Sequence, residues 1–83
     1  MKTHRFRGLR YVIDISDLDG WCEIPGRDPR TLHIRESQTP LQFLEAAIHE
    51  AMHAEDKDVS EQVINRRGAS LARFLWRLGY RRP

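Results

Sequence analysis

Cysteine is almost missing from this chain: Cys22 is the only one in 83 residues, so no disulfide can close within it. Long hydrophobic runs are missing too. The apolar stretch Tyr11-Val12-Ile13 is cut by Asp14, too short for a signal-peptide core or a membrane span. A cytoplasmic protein with no membrane partner is therefore expected. A strong net charge of one sign is also lacking: 14 Lys and Arg against 12 Asp and Glu leave a formal +2. That near balance argues against a dedicated nucleic-acid binder. What is present, 40% hydrophobic and 31% charged residues, suits a folded chain rather than a disordered one. Its length allows one domain, residues 1–83, whose small core leaves it marginally stable. With a disulfide excluded, a bound metal is the remaining staple for a domain of this size.

Residues 1–10 carry five basic groups and little apolar periodicity, and read as a flexible or edge segment. Tyr11 to Ile15 has strand composition and runs into the turn-forming cluster Ser16-Asp17-Leu18-Asp19-Gly20. A second short strand is expected over Trp21 to Ile24, then a loop at Pro25-Gly26-Arg27-Asp28-Pro29. Thr31 to Arg35 alternates as a half-buried strand does. The expected fold is α+β: a small three-stranded antiparallel sheet followed by two helices. From Pro40 the period becomes helical, with Leu41, Leu44, Ile48, Ala51 and Met52 on one stripe and Thr39 as N-cap, predicting a helix over about 40–54. Val63, Ile64, Leu71, Phe74, Leu75 and Leu78 mark a second helix, closed by Gly79. Gly68 within it would let the two helices approach closely, at a cost of about 1 kcal/mol in helix propensity.

The first helix carries His49-Glu50-Ala51-Met52-His53. Residues four apart on a helix lie one above the other, so His49 and His53 can present both imidazoles to one ion. Glu50 then stands beside that ion, where a carboxylate can take a proton from activated water. Catalytic zinc needs a third protein ligand and an open position. A metzincin ligand is excluded, because Asp56 and Val59 stand where that pattern needs glycine and histidine. A glutamate at the start of the following helix fits better: Glu61 is the expected third ligand, with Asp58 and Glu55 as reserves. Against this, Asp58 to Glu61 has the spacing of a capping box, which would occupy Glu61 otherwise. Asp56 is a candidate for orienting a liganding histidine.

These residues resemble the gluzincin-like side of the zincin metallopeptidases, and more closely a group of small phage and bacterial proteins carrying the same motif. The resemblance spans about residues 9–80. It rests on Cys22-Glu23-Ile24-Pro25, on the run from Leu44 to Ala54, and on Asp58-Val59-Ser60-Glu61 leading to Leu71, Ala72, Leu75, Trp76, Arg77, Leu78 and Gly79. It implies a minimal zincin-like domain with Zn2+ on His49, His53 and Glu61. It further implies a metallopeptidase-like hydrolase acting on a peptide or protein, in which a zinc-bound water activated by Glu50 attacks an amide carbonyl.

Other residues have plainer readings. Cys22 is expected to be a buried structural thiol, not a nucleophile paired with His33. His33 lies either toward a ligand or on the sheet surface. Tyr11 and Tyr80 are the two tyrosines able to donate to an oxyanion. Trp76 and Phe74 read as helix packing. Residues 66–82 hold Arg66, Arg67, Arg73, Arg77, Arg81 and Arg82 with no acid. These are either a solvated helix face or the contact surface of a non-catalytic zinc protein that holds a nucleic acid or a protein.

Overall fold

The structure, a computed structural model, describes residues 2–17 and 30–82. Its elements are β1 (Thr3–Phe6), β2 (Leu9–Ser16), β3 (Thr31–Arg35), α1 (Pro40–Glu55) and α2 (Glu61–Arg77), an α+β arrangement. The strand expected over Trp21–Ile24, the following loop and Cys22 lie outside the described residues.

β1 and β2 form a hairpin around Arg7 and Gly8, whose φ angles of 53° and 76° are both left-handed, as a two-residue type I′ turn requires. Glycine adopts this without penalty; Arg7 has a partner there. Its Nε donates to the carbonyl of Ala54 at 2.8 Å, so the hairpin tip caps the C-terminal end of α1 with a cation. The basic first ten residues thus contain an ordered strand.

The sheet order is β1-β2-β3, with β1 antiparallel and β3 parallel to β2. The purely antiparallel sheet expected from sequence is corrected to a mixed one. Side-chain alternation is the same in both directions, so periodicity cannot report it. Residues 17–30 are long enough to return the chain to the same end of the sheet, as a parallel pair demands.

One sheet face carries Phe6, Tyr11, Leu32 and Ile34, all buried, and packs on Phe43, Ala46, Ala47, Ala51 and Ala54 of α1. The alanines let the helix lie close to the strands. α1 is well started: Thr39 and Gln42 exchange side-chain to backbone hydrogen bonds in a capping box, ahead of Pro40. The turn before it is pinned by Asp17, whose carboxylate accepts from the backbone N–H and the hydroxyl of Ser37. Those two hydrogen bonds, with a smaller contribution from Arg35, hold the Asp17 carboxyl below its ordinary value. A lowered folded-state value means stability that is present at neutral pH and lost as pH falls through that value. Asp17→Asn is expected to flatten the acid limb of the stability curve, read as urea midpoints in acid and at neutral pH.

Among the described elements, α2 packs on α1 alone. Its buried stripe is Ile64, Gly68 and Ala72, with Gly68 facing Ile48 and Met52. Full burial of Ile64 is worth about 1.5–3 kcal/mol. A Cβ on Gly68 would meet Met52 Sδ at 3.7 Å, Ile48 Cγ2 at 3.8 Å and His49 Cα at 3.9 Å, ordinary contact distances. Gly68→Ala is therefore expected to stabilise the protein by up to about 1 kcal/mol through helix propensity. A lower urea midpoint for this variant would show that the helices close up further than these separations. The large residues Leu71, Phe74 and Leu78, expected to face inward with the stripe, are instead exposed. Small residues occupy the inner face because the helices approach closely there.

Candidate metal centre

His49 and His53 lie one turn apart near the C-terminal end of α1, and their Nε2 atoms face each other at 3.1 Å. The rings are 4.8 Å apart between centroids and inclined at 66°. α2 begins across the short connection, and its first residue supplies the third group. Glu61 Oε1 stands 3.0 Å from His49 Nε2, and Oε2 stands 2.8 Å from His53 Nε2. His49, His53 and Glu61 thus form a group that could hold a metal ion, with one ligand atom from each within 4.8 Å of the others.

The local capping decides why Glu61 is available. The N-cap of α2 is Ser60, whose hydroxyl accepts from the Val63 N–H at 3.3 Å, not Asp58. That puts Glu61 at the first helical position instead of the third, so its carboxylate has no capping duty and turns to the histidines. Asp56 accepts from the Asp58 N–H at 3.1 Å within the interhelical turn, and neither it nor Asp58 nor Glu55 joins the group.

The donor set is one that a small cation could satisfy. If both Nε2 atoms carried hydrogen to reach Glu61, the two N–H groups would also confront each other across 3.1 Å. A cation between them would take one lone pair from each of the three residues at once. Ligands at about 2.0–2.1 Å in a tetrahedral site lie roughly 3.3 Å from one another, slightly more than the 2.8–3.1 Å here. Side-chain exposures of 26% for His49, 37% for His53 and 59% for Glu61 leave the centre open to solvent on one side.

Glu50 sits between two hollows that flank the histidines. One is walled by Tyr11, Thr31, Leu32, His53 and Ala54; the other runs along α1 past Gln38, Gln42, Glu45 and His49. Glu50 is half-buried and, among the described residues, makes no ion pair or hydrogen bond. Of the two tyrosines, Tyr11 lines the hollow shared by Glu50 and His53, whereas Tyr80 is exposed beyond α2. His33 belongs to the sheet face turned away from α1, where its Nδ1 lies 2.9 Å from Asp14 Oδ2. It takes no part in the group. Gln42 and Glu45 were not singled out from sequence, although their offsets of 7 and 4 residues before His49 put them on its helix face; Gln38, also on this hollow, precedes the N-cap.

At the far end, Leu78 and Gly79 close α2: the N–H groups of Gly79 and Tyr80 donate to the carbonyls of Trp76 and Leu75 at 3.0 and 3.1 Å, with Gly79 at φ 95°. The Arg81 guanidinium covers the half-buried Trp76 ring, 3.9 Å from its centroid. No described helix is long and apolar enough to cross a membrane. Compared with protein-family models, with curated proteins and with solved structures, the chain finds no match.

Proposed function

We propose that this chain is a zinc-dependent hydrolase of the metallopeptidase type, a minimal zincin-like domain that cleaves an amide bond in a peptide or protein. One observation carries the reading: Glu61 is seated against both histidines of His-Glu-x-x-His, while the Glu50 carboxylate beside them has no ion-pair or hydrogen-bond partner among the described residues.

Zinc held by His49, His53 and Glu61 would polarise a carbonyl and make water acidic enough to be deprotonated near neutral pH. The chain's own residues account for the rest. Glu50 takes the proton from the attacking water and returns it to the leaving amine, a role open to a carboxylate that no described residue engages in a hydrogen bond or ion pair. Thr31 and Leu32 wall the hollow opposite Glu50 and His53 and limit how a substrate enters. Tyr11 on the same wall is the tyrosine donor available to the developing oxyanion. The second groove, with Gln38, Gln42 and Glu45, offers amide and carboxylate groups to one flank of the substrate.

The test is digestion of a proteome-derived peptide library by zinc-loaded protein, read by mass spectrometry. New termini that vanish on chelation and return with added zinc are expected. A fully zinc-loaded protein that produces none would overturn the hydrolase reading while leaving the metal site standing.

A further inference from the structure

α2 turns two stripes to solvent that nothing described in the chain uses. The first is apolar: Leu71, Phe74 and Leu78 are 49%, 58% and 58% exposed and recur at i, i+3 and i+7. The second is a line of guanidinium groups at Arg66, Arg73 and Arg77, which with Ala69, Ser70 and Phe74 borders a shallow open hollow of about 560 Å³. None of these three arginines, nor Arg67, pairs with a carboxylate among the described residues, in contrast to Arg82, which lies 3.8 Å from Glu36.

We infer that this outer face of α2 is a docking surface for an acidic amphipathic helix of a protein partner. The i, i+3, i+7 spacing is that of a helix laying anchors against an apolar partner surface. The unpaired arginines beside it ask for carboxylates, to which guanidinium can bond bidentately. Arginine and aromatic residues are also the types that concentrate binding energy at interfaces. α2 is capped at both ends and held along its inner stripe, so the surface is ordered before it binds. Charge selects among occupants. A second copy, joined through the same face, would set arginine against arginine. A nucleic-acid backbone would engage the guanidinium groups but leave Leu71 and Leu78 in water. A membrane surface would take a larger apolar face than three side chains over two turns. The inference does not depend on hydrolysis, because the face lies outside the His49, His53 and Glu61 group.

The experiment titrates the whole zinc-loaded protein into three labelled probes and reads fluorescence anisotropy: a designed amphipathic leucine–glutamate helix, its leucine–lysine counterpart, and a single-stranded oligonucleotide. Vesicles of phosphatidylserine are tested by co-sedimentation. The expected result is saturable binding of the leucine–glutamate helix, weakened at least about tenfold by Phe74→Ser. Arg73→Glu with Arg77→Glu should shift preference to the leucine–lysine helix. Zinc content of each variant, unchanged, controls for folding. No saturable binding of the acidic helix, binding indifferent to these substitutions, or preference for oligonucleotide or vesicles would each overturn the inference.

Discussion

Glu50→Gln is expected to lower kcat by about 10²–10⁴-fold, the usual worth of a positioned general base, with KM and zinc content little changed. The amide is nearly isosteric with the carboxylate and cannot accept a proton from water. Glu50 makes no ion pair or hydrogen bond among the described residues, so the substitution breaks no contact that holds the fold. The loss should therefore fall on proton transfer alone. Steady-state kinetics on a cleaved peptide, with metal analysis of the same sample, checks it. Wild-type turnover in this variant would remove Glu50 from the reaction; loss of zinc or of folding would show instead that its carboxylate holds the site together.

The second large effect concerns the metal. Wild-type protein is expected to bind one zinc per chain and to unfold at a markedly higher temperature than the chelated protein. At free zinc a thousandfold above Kd, linkage contributes about 4.1 kcal/mol. At roughly 4–8 °C per kcal/mol for a domain of this length, that is a shift on the order of 20 °C. His53→Ala removes one of the three candidate ligands on a solvent-open centre and should abolish both the stoichiometry and the shift. Glu61→Ala should weaken binding while His49 and His53 still chelate from one helix face. Differential scanning calorimetry with and without zinc reads both. An unchanged melting temperature on zinc addition would reduce the three residues to a hydrogen-bonded cluster, and the hydrolase reading would fall with it.

The histidine pair of the candidate metal group was legible in the sequence because backbone geometry alone aligns it. A spacing of four on a helix aligns His49 with His53 whatever surrounds them. Glu61 was legible because a short connection returns the second helix to the end of the first. Its competing role was settled only by structure: Asp58 and Ser60 both satisfy the preferences of an N-cap, and the choice of Ser60 frees Glu61. β1 was hidden by its basic residues and by an Arg7-Gly8 turn, where Asn-Gly is the usual signal. The direction of β3 leaves no trace in alternation. For α2, the size of side chains misled: Leu71, Phe74 and Leu78 look like a core stripe, yet Gly68 and Ala72 face the partner helix because they are small.

The three side chains that could hold a metal ion all come from residues 49–61, a stretch far shorter than the span from β1 to α1 that builds the sheet core. Such a site has low contact order, and closing so short a loop costs little chain entropy. An ion bound there would be clasped by the helical hairpin before the parallel pairing of β2 with the later β3 is made. Metal captured at that stage would lower the folding barrier as well as the energy of the native state. Refolding speed, not only final stability, would then be a function of how much free metal surrounds the nascent chain.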